Sequence, residues 1–257
     1  MLITLTTDFG LQDYFVGCVK GVILTIHPLV RLVDLTHEIP PHDVGSAAFV
    51  LKESYRYFPR NTVHLAVVDP GVGTLRKPII VQAEDQFFVG PDNGIFSYIL
   101  RESEGRVFEI RESRYVKAIE SPTFQGRDLF APAAAWLAKG IPPQQFGPEI
   151  SASPAPSWAL PRPAAGNRIE GSVAYIDRFG NLITNITRLE LGKRPPKRII
   201  VEGEREIPLA NCYAAGDEHL PAALINSSGQ LEIFLKEGSA RAHLRLTVGD
   251  KIIVERD

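Results

Sequence analysis

The chain has 257 residues, of which 44% are hydrophobic and 23% are charged, and its formal net charge is -2. This balance is that of an ordinary soluble globular protein, and it excludes the basic surface that nucleic acids or anionic membranes require. With no apolar run of about 18 residues and only two cysteines, Cys18 and Cys212, the sequence also excludes a membrane-spanning segment, a disulfide framework and a cysteine-based metal site.

Strand and helix patterns alternate through the first 150 residues. Apolar residues recur at helical spacing from Tyr14 to Ile26, and a second helical stripe follows Asp43, a good N-cap. A third helix is predicted from Leu129 to Ala138, with Asp128 as its cap. The predicted strands are LITLTTDF, VRLVDL, TVHLAVVD, and the hairpin of KPIIVQA and QFFVG. This alternation predicts an N-terminal, mainly parallel-sheet α/β domain over residues 1–150.

The composition changes after this domain. The segment SASPAPSWALPRPAAG is rich in proline and small residues, which predicts a stiff linker over residues 151–167. Short β-rich runs separated by turn residues follow it, without a helical pattern longer than a turn or two. Residues 168–257 are therefore predicted to form a smaller C-terminal all-β barrel domain. The N-terminal MLITLTTDFG lacks a signal-peptide pattern, so we expect a cytoplasmic protein.

Two aspartates follow predicted strands of the first domain. Asp8 lies at the end of the LITLTTDF strand and Asp69 ends TVHLAVVD, and ligands of open α/β sheets bind beyond such strand ends. Each is either a ligand-binding carboxylate or an ordinary turn or cap residue. The segment PGVGTLR after Asp69 is either a surface turn or a glycine loop that brings Arg76 to an anion or a water. TFQGRD, which contains Gln125 and leads into the third helix, is either a cap or a part of the same crevice.

Two segments of the second domain have unusual polar content. YIDRFGNLITNI contains Asp177, Phe179 and Asn181, an aromatic ring and amides that could stack on and hydrogen-bond to a purine. A β-bulge or hairpin turn at Gly180–Asn181 is the structural alternative. NSSG is likewise either a turn or a row of hydroxyls at a ligand. The sequence has neither a GxGxxG nor a GxxxxGK[ST] phosphate loop, and its six histidines show no metal-binding pattern.

Seven motifs, in order and across both domains, resemble one known family. The motifs are TTDFG, DLTHEIPPHD, VVDPGVGTLR, GPDNG, TFQGRDLFAPAAA, YIDRFGNLITN and INSSG. Together they resemble the S-adenosylmethionine (SAM) hydroxide adenosyltransferases, the adenosine-forming SAM hydrolases related to SAM-dependent fluorinases and chlorinases. The resemblance implies an α/β domain followed by a β-barrel, a homotrimer with sites between subunits, and hydrolysis of SAM to adenosine and L-methionine. It implies neither a cofactor nor a metal.

The resemblance also implies roles for individual residues. Asp69, Arg76 and Gln125 occupy the catalytic positions, and Asp69 also borders the substrate. Asp8 matches the residue that binds the ribose hydroxyls, and Asp177 the residue that meets the methionine amine. The remaining positions that border adenosine and methionine are Phe179, Asn181, Ser227 and Ser228.

Gln125 departs from the family pattern, which has histidine at this position, as in TFHGRD. Glutamine donates and accepts hydrogen bonds but takes up no proton at neutral pH. If that histidine is a general base, its loss lowers the rate by about 10²–10⁴; if it positions water, glutamine replaces it at smaller cost. The sequence therefore also allows a SAM- or adenosine-binding protein with little turnover, or a halogenase-like enzyme.

Overall fold

The computed structural model describes residues 1–111, 113–116, 123–156, 158, 160–192, 194–201 and 204–256. The chain divides into two compact units, Met1–Ala155 and Pro156–Asp257. The boundary between them lies within residues 151–167, the segment predicted as a linker. Two residues of that segment, 157 and 159, lie outside the described residues, and three others form a short strand of the second unit.

The first unit combines a sheet with helices. Its strands are β1 (Leu2–Thr7), β2 (Arg31–Thr36), β3 (Val63–Val67), β4 (Pro78–Ala83), β5 (Gln86–Pro91), β6 (Arg106–Glu109) and β7 (Glu149–Ile150). Its α-helices are α1 (Phe15–Ile26), α2 (Val44–Ser54), α3 (Ser97–Glu102) and α4 (Ala131–Ala138). The strand order in the described sheet is β2-β1-β3-β5-β4-β6-β7.

The sheet of the first unit is mixed rather than mainly parallel. The ladders β1–β2, β1–β3 and β3–β5 are parallel, as the strand–helix alternation predicted. The predicted hairpin of β4 and β5 then reverses the chain direction, and β6 and β7 add antiparallel ladders beyond it. Because β6 and β7 have only four and two residues, the sequence pattern did not show them.

Helices cover both faces of this sheet. Residues of α1 and α4 pack into one hydrophobic cluster and residues of α2 and α3 into the other. In β3, Leu65 contributes to the first cluster and Ala66 to the second, and all five residues of the strand are buried. This arrangement explains the nearly continuous apolar sequence of a strand that is covered on both sides.

One of the two predicted helix caps is correct and the other is wrong. Asp43 caps α2, and its Oδ1 accepts a hydrogen bond of 2.9 Å from the Ser46 N–H. Asp128 does not cap α4, because a π-helical turn from Gly126 to Phe130 precedes that helix and contains Asp128. The helical backbone thus begins directly after Gln125, three residues earlier than predicted.

The second unit is built around one antiparallel sheet. Its strands are β8 (Arg162–Ala164), β9 (Arg168–Ile176), β10 (Leu182–Thr187), β11 (Arg198–Val201), β12 (Arg205–Glu206), β13 (Ala222–Ile225), β14 (Gln230–Phe234) and β15 (Lys251–Glu255). Two short helices accompany them, α5 (Arg188–Leu191) and α6 (Ala240–Leu244). The order is β12-β11-β15-β9-β10-β14-β13, with β8 paired to β9. In the described part of the chain the sheet is therefore a curled half-barrel with β12 and β13 at its ends. This confirms the predicted fold class, an α/β domain followed by a smaller β domain, with the barrel left open.

We expect Gly90→Ala to destabilise the first unit. A Cβ atom at Gly90 on β5 would lie 2.2 Å from the carbonyl oxygen of Ala66, which belongs to the neighbouring strand β3. Such overpacking lowers the free energy of unfolding by about 1–3 kcal/mol, and denaturant unfolding measures it. Gly21→Ala in α1 is the matched control, because its Cβ would meet no atom within 4 Å and alanine favours a helix. Equal denaturation midpoints for the two variants would contradict the expectation.

Candidate active site

The ends of two parallel strands bring Asp8 and Asp69 to the same edge of the first sheet. Thr7 of β1 lies opposite Val67 of β3. Asp8 comes directly after Thr7, and Asp69 comes two residues after Val67. The Oδ2 atom of Asp8 accepts a hydrogen bond of 2.9 Å from the His42 N–H. Asp69 is more enclosed, and its side chain is only 6% exposed. The two carboxylates therefore lie where ligands of α/β sheets bind.

The glycine loop after Asp69 folds back on itself and returns Arg76 to that carboxylate. Turn hydrogen bonds shape the loop, among them Thr74 N–H to the Gly71 carbonyl at 3.1 Å. Arg76 Nε donates to Asp69 Oδ1 at 3.0 Å, and Arg76 Nη2 donates to Asp69 Oδ2. A Cβ at Gly71 would lie 3.3 Å from the Arg76 side chain. Glycine thus permits the close approach that forms a bidentate ion pair.

Gln125 completes this cluster. The Nη2 atom of Arg76 also donates to the Oε1 atom of Gln125, and the guanidinium lies over the ring of Phe130 at 5.3 Å. Phe124, next to Gln125, meets the Phe9 ring edge-on at 6.0 Å, which holds this segment beside the end of β1. The structure therefore brings the three predicted catalytic residues into direct contact through one arginine.

Arg127 has a different environment from Arg76. Its Nε and Nη2 atoms donate to the two carboxylate oxygens of Asp128, each at 2.7 Å. This hydrogen bonding raises the pKa of the Arg127 guanidinium. Asp128 is therefore the partner of its sequence neighbour, and Arg127 has both ends of its guanidinium fork engaged.

In the second unit, Asp177 organises the turn between β9 and β10. Its Oδ1 accepts hydrogen bonds of 2.9 Å from the N–H groups of Phe179 and Asn181, and its Oδ2 accepts one of 3.0 Å from Asn181 Nδ2. Gly180 has a φ of 82°, a left-handed conformation that favours glycine. The hairpin-turn interpretation of this segment is thus correct, and the turn leaves the Phe179 side chain 76% exposed.

The same turn forms one wall of a pocket of about 830 Å³ in the second unit. Asp177, Phe179 and Asn181 line it together with residues that the sequence did not indicate: Tyr213, Ala214, Phe234, Leu235, Lys236, Glu237 and Gly238. The Tyr213 and Phe234 rings pack edge-to-face at 5.0 Å. Carboxylate, amide, ammonium and aromatic groups therefore surround one space, as in sites for polar small molecules.

Ser227 and Ser228 lie in the turn between β13 and β14. Both are exposed, and neither lines the pocket of about 830 Å³. The Oδ1 atom of Asn226 accepts hydrogen bonds of 3.0 Å from the N–H groups of Ser228 and Gln230. The turn is thus held by Asn226, and its two serines are exposed to solvent.

Among the described residues, no helix combines the length and the hydrophobicity that a membrane span requires. Within the same residues, no cluster of three or more histidine, cysteine, aspartate and glutamate side chains is placed to hold a metal ion.

Comparison with known proteins identifies the family. Residues 3–147 match the model of the SAM hydroxide adenosyltransferase N-terminal domain and residues 171–253 that of the C-terminal domain. These matches cover most of both units, which carry the two sets of site residues described above. The chain belongs to the SAM hydroxide adenosyltransferase family.

Individual relatives agree with this assignment. The chain is 39% identical over 251 residues to a Thermus thermophilus protein named (R)-S-adenosyl-L-methionine hydrolase, covering 95% of both chains. It is 29% identical to an Actinoplanes protein named fluorinase, covering 90% of each. An uncharacterised conserved protein from Thermotoga maritima has a similar crystal structure, with a TM-score of 0.86, 35% identity and full coverage of both chains.

Proposed function

We propose that the protein hydrolyses SAM to adenosine and L-methionine. The observation that carries this proposal is the contact of Asp69, Arg76 and Gln125 at the strand ends of a chain that belongs to this family. The hydrolase name of its relative from Thermus thermophilus supports the same reaction. Gln125, in place of a titratable histidine, leaves the protein with reduced turnover in this proposal.

SAM is already an activated electrophile, so the proposed reaction requires the site to supply a nucleophile. Oxygen attacks C5′ of SAM, the C5′–S bond breaks, and its electron pair stays on sulfur in the thioether of methionine. When water attacks, one proton is released as the C5′–O bond forms. Water has a pKa of about 15.7, so groups that stabilise negative charge on the attacking oxygen promote the step. Arg76 is the cation of the cluster that can do so.

Asp69 and Gln125 orient this cation in the proposed mechanism. Asp69 engages two donors of the guanidinium, and Gln125 Oε1 accepts a third hydrogen bond. Since the Gln125 oxygen faces Arg76, its amide N–H₂ group is the end of the side chain that can meet water. In this proposal the Gln125 amide donates a hydrogen bond to the attacking water and so orients it. The Asp69 carboxylate lies beside Gln125 on the same guanidinium.

The remaining site residues bind substrate in this proposal. Asp8 accepts hydrogen bonds from the ribose hydroxyls with the lone pairs that the His42 N–H leaves open. Asp177 meets the ammonium group of the methionine portion, and Phe179 offers its exposed ring for stacking. Asn181, Ser227 and Ser228 provide the neighbouring polar contacts. No cofactor takes part, because SAM is itself the substrate.

We propose that the protein acts as a homotrimer in the cytoplasm, without nucleic acid or membrane partners. The first unit carries the Asp69–Arg76–Gln125 cluster and the second the aromatic and amide groups, which supports a complete site made from two subunits. Cys18 and Cys212 are free thiols, as in proteins of a reducing compartment. Light scattering of the active protein should give the trimer mass, and a stable, active monomer would overturn the assembly.

One assay tests the proposed function against its alternatives. The protein is incubated with SAM, with and without chloride, and the products are separated by chromatography. Adenosine and methionine in equal amounts are the expected result. Binding of SAM without any product would identify a binding protein, which the glutamine at position 125 would explain. A chlorinated nucleoside would identify a halogenase-like enzyme.

Asp8→Ala should weaken adenosine binding by about 1.5–3 kcal/mol, the range for hydrogen bonds to a charged group. The expectation follows from the position of Asp8 at the end of β1, where its carboxylate is available to ribose hydroxyls. Titration calorimetry with adenosine measures the effect. Asp13→Ala is the control, because Asp13 is an exposed aspartate of the same loop. Unchanged affinity for Asp8→Ala would leave Asp8 with only its structural role toward His42.

Arg76→Ala should lower kcat by about 10²–10³, as removal of a charge-stabilising donor does, while the Kd for SAM changes much less. The sulfonium is cationic, so a nearby guanidinium helps only when negative charge develops on the attacking oxygen. Single-turnover kinetics and calorimetry separate the two quantities. Arg76→Lys, which keeps the charge but loses the bidentate fork, should be intermediate. A variant with normal kcat and only weaker binding would contradict this role.

Gln125→His should raise the rate of adenosine formation at least about tenfold near pH 8, equivalent to about 1.4 kcal/mol of barrier. A neutral imidazole can accept a proton from attacking water, whereas glutamine can only orient it. The rate of the variant should fall as the pH drops through about 6.5, the ordinary histidine pKa, and the protein with Gln125 should show a flatter profile. Equal rates and pH profiles would remove position 125 from the catalytic set.

A further inference from the structure

A buried carboxylate in the second unit has no role in the reaction described so far. Glu232 lies in the middle of β14, between Leu224 of β13 and Ile183 of β10, and is only 3% exposed. Among the described residues, no lysine, arginine or histidine nitrogen lies within 4.0 Å of it. A buried carboxylate without a cationic partner is costly and needs hydrogen-bond donors.

Each oxygen of Glu232 meets one donor, and the two donors come from different parts of the unit. The Tyr213 hydroxyl donates to Oε1 at 2.7 Å, and Asn226 Nδ2 donates to Oε2 at 3.1 Å. Tyr213 forms a wall of the pocket, whereas Asn226 holds the turn of Ser227 and Ser228. Glu232 thus links the pocket wall to the serine turn through a single side chain.

The Glu232 carboxylate lies directly behind a wall of the pocket, because Tyr213 both lines the pocket and donates to Glu232 Oε1. Burial raises the pKa of the Tyr213 phenol above its ordinary value, and the Glu232 hydrogen bond and the charges of Glu232 and Asp177 raise it further. Both carboxylates therefore act on the same ring. Glu237 also lines the pocket, and Lys236, which lines it too, is paired with Glu218 at 3.7 Å, so the balance of charge favours a cationic ligand over a neutral one.

We propose that Glu232 is a positioning and specificity-determining residue, which holds Tyr213 and the serine turn in place and makes the pocket selective for the cationic substrate. The proposal rests on the proposed function, in which SAM with its sulfonium and ammonium groups is that substrate. Adenosine, which lacks both charges, is the neutral ligand for comparison. Glu232 positions Tyr213 and Asn226 through its hydrogen bonds, its charge acts on the ligand through space, and it does not itself contact the reacting atoms.

The test compares binding of SAM and adenosine to Glu232→Gln by titration calorimetry. This variant keeps the shape of the side chain and removes its charge, so the Kd for SAM should rise about tenfold, which corresponds to about 1.4 kcal/mol. The Kd for adenosine should rise less than about threefold. Turnover at saturating SAM should stay within about twofold of the unmodified protein, because Asp69, Arg76 and Gln125 are unchanged.

Two further variants separate charge from packing. Glu206→Gln is the same chemical change at an exposed carboxylate of β12, 52% exposed and paired with Arg198, and should leave both affinities unchanged. Tyr213→Phe keeps the Glu232 charge but removes its hydroxyl donor, so the preference for SAM over adenosine should persist. If Glu232→Gln does not fold, loss of that preference in Tyr213→Phe overturns the charge role.

Other outcomes distinguish the inference from the proposed function. Equal losses of SAM and adenosine affinity in Glu232→Gln would show that Glu232 only supports the fold, and unchanged affinities would show no role in binding. Both results overturn the inference even if the unmodified protein hydrolyses SAM. If that protein binds SAM but forms no adenosine, the proposed function fails, and the affinity comparison still tests Glu232.

Discussion

The ion pair between Asp69 and Arg76 is the contact on which the site of the first unit depends. Both side chains are nearly buried, at 6% and 10% exposure, and a charge in such a place is tolerated only with a well-aligned partner. The bidentate geometry fixes the guanidinium, and the guanidinium in turn fixes the Gln125 amide. The parallel register of β1 and β3, the glycine loop and the π-helical turn all serve to bring these groups together.

Carboxylates organise the second unit in a different way. Asp177 accepts hydrogen bonds from two backbone N–H groups and one amide, and Glu232 accepts them from a phenol and an amide. Neither depends on a cation in these contacts. The cluster of the first unit is thus held by opposite charges, whereas Asp177 and Glu232 are held by neutral donors, which leaves their negative charge available to a ligand.

The sequence predicted the elements with strong periodicity and the residues at strand ends. The spacing in α1, the Asp43 cap and the apolar β3 all correspond to the structure. The mixed sheet was missed because β6 and β7 are too short to show a pattern. The cap at Asp128 was wrong because a π-helical turn has no signature in residue spacing.

The site shows the same division between local and long-range information. The motifs indicated Asp69, Arg76 and Gln125, but the contact of Arg76 with Gln125 joins residues 49 positions apart and follows only from the fold. Tyr213 lies in a segment without an informative pattern and Glu232 in a short β-rich run whose pairing the sequence does not show, and antiparallel pairing and a loop bring them together. A side chain that acts through partners distant in the sequence could therefore not be predicted from the sequence alone.

The division of the chain at Ala155 and Pro156 has a consequence for how such proteins diversify. The Asp69–Arg76–Gln125 cluster and the residues that line the pocket are encoded in separate, continuous halves of the gene. A mutation in one half can alter reactivity while the other half keeps its shape, and recombination near this boundary can exchange either half intact.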